Sequence, residues 1–332
     1  MDLALRPMST SQVLDRTFYL YRNNFVLFAG IAIITPTLKL IALLIQLNIF
    51  GPITVPQQPE AMTPQFMEAF FIRMVIASIV GAIVYLVGTA LASSATAYAV
   101  SMVHLGKTTT IAESYSKIKH LFGRIIGLLL MISLITFGPL LASYALVVLA
   151  ALSTVMLVKG GGSPGAGIVM ALVLMLGGLA LIVGAIVWIF FALCRYALAV
   201  PACTLEGLPV MVSIRRSRFL TNRAKGGILG IILLTALMTF ILSYVLQLPA
   251  LIANNSMFMT AKTHLSILAT VWIYIADFLG GAVAGPIATI ALVLVYYDQR
   301  VRKEAFDLQL MMEAVGQQTL QPMAAAAPPT IG

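Results

Sequence analysis

The stretch that decides the fold is IIGLLLMISLITFGPLLASYALVVLAALSTVMLV, which occupies residues 125–158 and contains no charged residue. A helix crosses the hydrocarbon core of a bilayer with about 20 apolar residues, and this run is longer. In lipid every backbone polar group needs a partner, so only helices and closed barrels can span. Barrel strands would alternate apolar and polar residues, and this run does not. It therefore predicts a transmembrane helix, and Pro139 predicts a break within it.

Five more apolar runs of comparable length predict the rest of the architecture. Hydrophobic residues make up 61% of the chain and charged residues 9%, which excludes a water-soluble globule. The fold class is therefore all-α, a polytopic membrane helix bundle with six transmembrane helices. We predict a cytoplasmic amphipathic segment, a six-helix membrane domain, and a cytoplasmic helix with an Ala/Pro-rich disordered tail, at residues 1–24, 25–298 and 299–332. The predicted spans are 25–50, 70–103, 125–158, 168–202, 226–253 and 265–297.

Basic residues are concentrated on one side of these spans. Sixteen of the 20 Lys and Arg residues fall in the N-terminal segment, in or near the loops after the second and fourth spans, and after the sixth span. The other side carries only Arg73, Lys159 and Lys262. By the positive-inside rule both termini are predicted to be cytoplasmic. Because the basic residues flank the spans, we expect them to attract anionic lipid headgroups and not nucleic acid.

A similar segment precedes each odd-numbered span. The segments begin at Ser9, Thr108 and Pro209, which are 99 and 101 residues apart. The first two alternate apolar and polar residues at helical spacing, as in-plane amphipathic helices do, and begin with Ser or Thr residues suited to capping a helix. This spacing predicts a threefold internal repeat in which each unit is an amphipathic helix followed by a two-span hairpin. The alternative is a set of ordinary linkers with coincidental periodicity.

Two ionisable residues stand out inside predicted spans, Lys39 in the first and Asp277 in the sixth. Charged groups at membrane depth are costly, so each is a functional candidate. Counted from the cytoplasmic ends at 1.5 Å per residue, they lie about 22 Å and about 30 Å along their helices. Two interpretations stay open. The residues form an intramembrane ion pair that lines a cavity, or each snorkels to the outer interface.

A second candidate site is the basic loop between the fourth and fifth spans. Its cations could bind lipid phosphates or an acidic partner protein, and the alternative is a role in membrane topology alone. Glu206 lies close enough in sequence to pair with one of the arginines. The candidate contact residues are Arg215, Arg216, Arg218, Arg223 and Lys225.

The sequence contains no recognisable catalytic, cofactor-binding or metal-binding motif. The three histidines form no H-E-x-x-H pair, and there is no G-x-S-x-G sequence. We therefore predict a protein that is not an enzyme and that binds no cofactor or metal.

Three charge-rich stretches carry a family resemblance. They read LRPMS followed by LDRTFYLYR, LEG followed by SIRRS and LT, and YYDQRVRKEAFDL, within residues 5–22, 205–221 and 296–308. They resemble the bacterial glycerophosphoryl diester phosphodiesterase membrane domain-like family. The resemblance implies a bacterial plasma membrane protein. In some relatives this membrane domain precedes a soluble phosphodiesterase domain. We expect that domain to be absent here, so the resemblance does not imply phosphodiesterase activity for this protein.

Three classes of function follow from these observations. The first is a non-enzymatic membrane scaffold or accessory subunit with a basic, lipid-facing cytoplasmic surface. The second is a carrier for a small or lipidic solute, favoured by the repeat, by prolines within spans, and by Lys39 and Asp277. The third is an integral membrane enzyme. A polar cavity lined by several spans would favour the carrier, and a closed apolar bundle would favour the scaffold.

Overall fold

A computed structural model of the protein describes residues 8–50, 64–159, 164–222, 224–260 and 267–304. This part of the chain is helical and contains no strand. Its α-helices are α1 (Thr10–Asn23), α2 (Phe25–Ala32), α3 (Ile34–Phe50), α4 (Pro64–His104), α5 (Ile111–Ile118), α6 (Phe122–Lys159), α7 (Pro164–Tyr196), α8 (Ala199–Glu206), α9 (Val210–Thr221), α10 (Lys225–Thr260) and α11 (Ile267–Glu304).

Six segments in the described residues are long and apolar enough to cross a membrane, as the sequence predicts. They are formed by α2 with α3, α4, α6, α7 with α8, α10, and α11. The hairpins pair α3 with α4, α6 with α7, and α10 with α11. The apolar window of α11 is 56% buried, whereas no other span exceeds 28%. The bundle is therefore arranged around α11, which also contacts α1, α2, α4, α8 and α9.

Two of the six spans are interrupted, and both interruptions lie just before a proline. The first span breaks at Ile33, three residues before Pro36, and the fourth breaks at Ala197 and Leu198, just before Pro201. A proline nitrogen cannot donate to the carbonyl four residues earlier, and its ring crowds that carbonyl. The lost bond explains why each helix restarts close to its proline.

The prediction of a break at Pro139 is wrong, because α6 continues through it from Phe122 to Lys159. Pro139 leaves the carbonyl of Ile135 without its usual donor, and the indole Nε1 of Trp188 on α7 supplies one at 2.9 Å. In lipid no water is available to donate a hydrogen bond to such a carbonyl, so a donor from a neighbouring helix removes the main cost of the proline.

Aromatic side chains also donate to backbone carbonyls near two other prolines. Trp272 Nε1 donates to the carbonyl of Leu246 at 2.9 Å, three residues before Pro249 in α10. The hydroxyl of Tyr21 donates to the carbonyl of Val283, three residues before Pro286 in α11. These contacts join α10 to α11 and α1 to α11.

The threefold repeat is visible in the register of the short helices. The helices α1, α5 and α9 have N-cap residues Ser9, Thr110 and Pro209, which are 101 and 99 residues apart. The second repeat thus begins two residues later than the sequence spacing suggests. The same two spacings relate three sets of buried positions, so the three helices bury equivalent faces. These sets are Val13, Ser114 and Ser213; Thr17, Ile118 and Ser217; and Leu20, Leu121 and Leu220.

The junctions between repeats share a backbone feature. Gly106 and Gly207 have φ angles of 74° and 64°, a left-handed conformation that glycine adopts without strain. Gly106 follows α4 and Gly207 follows α8, so each glycine turns the chain from the end of one hairpin into the next short helix. The repeat units accordingly comprise α1–α4, α5–α8 and α9–α11.

Candidate functional site: an ion pair between two cavities

The structure brings together the two charged residues that the sequence places at membrane depth. Lys39 Nζ of α3 lies 2.6 Å from Asp277 Oδ2 of α11, a charge-assisted hydrogen bond. Their side chains are 58% and 44% exposed, so the pair is reachable from the space beside it. Of the two interpretations left open by the sequence, this geometry corresponds to the ion pair that lines a cavity.

Small residues on α11 position this pair. An added Cβ atom on Gly281 would lie 3.4 Å from the ring of Pro36, and one on Gly285 would lie 3.8 Å from Ala32. These two glycines form the G-x-x-x-G pair of α11, and they let its backbone approach the interruption between α2 and α3. Lys39 follows Pro36 by about one turn, so the close approach sets its side chain against Asp277.

Two cavities meet at the ion pair, because Pro36, Lys39 and Asp277 line both of them. The first cavity has a volume of about 360 Å³ and extends towards the end of α3 and the start of α11. Its lining is mostly apolar and includes Leu40, Leu43, Val84, Ile273 and Phe278. The second cavity, of about 310 Å³, extends in the opposite direction along both helices.

Hydroxyl groups from four helices line the second cavity. They belong to Thr35 of α3, to residues of α4 and α10, and to Thr289 of α11. Several donate their hydrogen to a carbonyl of their own helix, as Thr89 does to Tyr85 and Thr239 does to Thr235. Their oxygen atoms then remain acceptors that face the cavity. The remaining hydroxyls in the lining are those of Tyr85, Thr89, Ser93, Thr96, Thr239 and Ser243.

Arg216, one of the predicted headgroup contacts, instead belongs to an ionic cluster inside the bundle. Its guanidinium donates to Glu206 Oε1 at 2.9 Å and to Glu304 Oε2 at 2.7 Å. Arg300 lies 3.4 Å from Glu304 and 3.7 Å from Glu206, and the hydroxyl of Tyr296 donates to Glu206. This cluster of two arginines and two glutamates joins the ends of α8, α9 and α11.

The cluster keeps Arg216 charged. Burial by itself would lower the pKa of Arg216, but the hydrogen bonds and negative charges of Glu304 and Glu206 outweigh burial and raise it. Each carboxylate in the cluster is engaged by an arginine, so the arrangement is mutually neutralised. The pairing of Glu206 with a loop arginine was foreseeable from the sequence. The contribution of Glu304 was not, because 88 residues separate it from Arg216.

The other predicted headgroup contacts are placed differently from Arg216. Arg215 is exposed on α9, Arg218 lies against Tyr196, and Lys225 lies against Phe191. Arg223 falls outside the described residues. Arg215, Arg218 and Lys225 therefore stay at the surface, whereas Arg216 turns inward from α9.

Charged residues at the C-terminal end of α11 hold this end in place through ion pairs and hydrogen bonds. Asp298 and Arg302, four residues apart on this helix, form an ion pair at 2.9 Å. Asp298 also accepts from the backbone N–H of Met8, and Arg302 donates to the Met8 carbonyl, each at 2.7 Å. Lys303 donates to two backbone carbonyls near the end of α9.

No cluster of three or more His, Cys, Asp or Glu residues suited to a metal ion occurs in the part of the chain that the structure describes. Cys194 and Cys203 are buried thiols with no disulfide between them. No family model, curated protein or solved structure matches the chain. The resemblance to the phosphodiesterase membrane domain-like family therefore stays a prediction.

Proposed function

We propose that the protein is a membrane carrier for a small solute that has both an anionic and a cationic group. The observation that carries this proposal is the position of the Lys39–Asp277 pair between two cavities of about 360 and 310 Å³. These volumes fall within the range of small-molecule sites. Carriers bind solute near the middle of the bundle, often beside interrupted helices and between internal repeats.

The chemistry of the pair suggests the class of solute. An anionic group of the solute would replace Asp277 at the Lys39 ammonium, while a cationic group would replace Lys39 at the carboxylate. This exchange leaves neither charge unpaired at membrane depth, where an unpaired charge is costly. The hydroxyl oxygens of Thr89 and Thr239 accept hydrogen bonds, so they favour a solute whose cationic group carries N–H donors.

The two cavities suggest how the pair would control access. In the described state the ion pair separates an apolar cavity from a hydroxyl-lined one. Binding of the solute would open this pair, and its re-formation after release would close the passage. By the positive-inside rule, the hydroxyl-lined cavity would face the cytoplasm of a bacterial cell, because it lies towards the basic end of the bundle.

Cysteine accessibility tests this proposal without knowledge of the solute. In a Cys194→Ala/Cys203→Ala background, we would introduce Ser93→Cys in the hydroxyl-lined cavity or Leu43→Cys in the apolar one. A charged, membrane-impermeant maleimide would then be added to either side of proteoliposomes. A carrier predicts labelling of Ser93→Cys from one side and of Leu43→Cys from the other. A closed scaffold predicts no labelling of either.

A lipid-facing position supplies the matched control. Val187 is 65% exposed on α7 and lines neither cavity, so Val187→Cys should not react from either side. Lys39→Met, added to each cavity cysteine, should permit labelling from both sides. Lys39→Arg keeps the charge and should preserve one-sided labelling. Equal reactivity of Val187→Cys and Ser93→Cys would contradict the proposal.

A scaffold or accessory subunit is the second candidate function, and the exposed cations at the basic end favour it. Arg215 is exposed on α9, and several other exposed cations lie on the short helices and nearby loops, including Arg22, Lys117 and Lys119. Such a surface could hold an acidic partner protein. Copurification of a stoichiometric partner that is lost on Arg215→Glu would support this function.

A further inference from the structure

Three cations at the basic end of the bundle lie around two aromatic rings of α7. Lys225 Nζ is 4.7 Å from the centroid of the Phe191 ring, and Arg195 Cζ is 5.6 Å from the same centroid. Arg218 lies 5.3 Å from the centroid of Tyr196 and donates to its hydroxyl at 2.8 Å. The cations come from α7, α9 and α10. Cation–π contacts hold such groups in place while some of their N–H donors remain available.

Buried hydroxyl groups fix the relative position of α7 and α9 at this point. Ser217 donates to the carbonyl of Arg195 at 2.9 Å and accepts from the backbone N–H of Leu198 at 3.2 Å. Both backbone groups lie at the interruption between α7 and α8, where helical hydrogen bonds are lost. Ser217 is fully buried, so this link places Arg195 and Arg218 on a rigid base.

Within the part of the chain that the structure describes, these three cations have no carboxylate partner. Ion pairs in the described residues involve Glu206, Asp277, Asp298 and Glu304, and none of these pairs includes the three cations. Arg218 and Lys225 are exposed, and Arg195 is partly exposed. Arg195 and Lys225 contact the same Phe191 ring, so their like charges repel, and an anion with several acceptor oxygens would stabilise this arrangement. Phosphate oxygens suit arginine because they can accept two parallel N–H bonds.

The surface of α7 next to these cations is apolar and outward-facing. Val183, Val187 and Phe190 are 54%, 65% and 43% exposed, and they precede Phe191 along the helix. In a bilayer this strip would contact acyl chains, while Arg195 and Tyr196 at the end of α7 would lie near the headgroups. The cations therefore lie where the phosphate of a lipid would lie if the acyl chains of that lipid ran along α7.

We propose that Arg195, Arg218 and Lys225 form a binding site for the phosphate group of an anionic glycerophospholipid, whose acyl chains lie along the exposed face of α7. The site is separate from the candidate carrier site, since α7 contributes no residue to either cavity. Arg216 takes no part, because Glu206 and Glu304 occupy its donors. The proposed site therefore does not include every cation of the basic loop.

Native mass spectrometry of the full chain in detergent tests the site, with phosphatidylglycerol, phosphatidylcholine and inorganic phosphate as separate probes. Wild type should retain phosphatidylglycerol in preference to phosphatidylcholine. The Arg195→Gln/Arg218→Gln/Lys225→Gln variant should bind phosphatidylglycerol about a hundredfold more weakly, since each surface cation contributes about 1 kcal/mol to attraction of anionic lipid. Equal occupancy by inorganic phosphate and by the lipid would show a phosphate-ion site and overturn the lipid assignment.

The matched control is an Arg22→Gln/Lys117→Gln/Arg215→Gln variant, which removes the same charge from exposed positions elsewhere on the basic end. It should lose much less affinity for phosphatidylglycerol than the first triple variant does. An equal loss in both triple variants would overturn the proposal in favour of a diffuse surface charge. If the first triple variant fails to fold, Lys225→Gln alone, at an exposed position, should weaken binding about fivefold, and unchanged binding would overturn the proposal.

Discussion

The indole Nε1 of Trp188 donates to the carbonyl of Ile135 at 2.9 Å, four residues before Pro139. Pro139 removes the donor that this carbonyl would have within α6, and α7 replaces it. The contact explains how α6 stays helical through a proline while it crosses the membrane. It also gives Trp188 a role that depends on the presence of the proline.

We expect Trp188→Phe to lower the free energy of unfolding by about 1–2 kcal/mol, because it leaves the Ile135 carbonyl without a donor. The same substitution should cost less in a Pro139→Ala background, where the backbone N–H of residue 139 can serve that carbonyl. The free energy of unfolding in mixed micelles, measured for the wild type, the two single variants and the double variant, gives the difference between the two costs. Equal costs in the two backgrounds would show that Trp188 acts through packing alone.

Arg216→Gln should destabilise the protein by about 2–3 kcal/mol, because it leaves two largely buried carboxylates with Arg300 as their one remaining cation in the cluster. The side chains of Arg216, Glu206 and Glu304 are 23%, 18% and 20% exposed, so water compensates only in part. Arg216→Lys should restore little, since an ammonium cannot bind two carboxylates in the same geometry. Thermal unfolding in detergent measures these effects.

The matched control is Arg215→Gln, on the same helix and exposed. It removes the same charge and should change the free energy of unfolding by no more than about 0.5 kcal/mol. If the two variants lose similar stability, the cluster at Arg216 contributes nothing beyond general charge.

Lys39→Met and Asp277→Asn should each destabilise the protein, and the double variant should recover part of the loss. Each single variant leaves the opposite charge unpaired at membrane depth. Because the two side chains are 58% and 44% exposed, we expect a coupling energy of about 1 kcal/mol. A double-mutant cycle of unfolding in mixed micelles measures it. Additive effects would mean that the two charges act independently.

Tyr21 should ionise at an unusually high pH. Burial raises the pKa of Tyr21 to about 12, whereas an unfolded tyrosine titrates near pH 10. The folded state therefore holds this proton more tightly, and the resulting stability is fully present below about pH 10 and lost as the pH rises towards about 12. Subtracting the tyrosinate absorbance of Tyr21→Phe from that of wild type isolates the titration of Tyr21, which should occur near pH 12. A transition near pH 10 would contradict the burial of Tyr21.

The sequence by itself determined the membrane class, the number of spans, the side with most basic residues, and the segments that become α1, α5 and α9. These properties depend on local composition, because the bilayer requires long apolar helices whatever their neighbours are. The N-caps at Ser9 and Thr110 are local in the same sense, since a hydroxyl satisfies N–H groups within the next turn.

Tertiary structure alone decided the pairing of Lys39 with Asp277 and the inward turn of Arg216, because their partners lie 238 and 88 residues away. It also decided which prolines interrupt a span. Pro139 and Pro36 remove the same backbone bond, but a neighbouring helix offers Trp188 to the carbonyl that Pro139 leaves open. No local pattern encodes that donor, because it depends on how α6 and α7 pack.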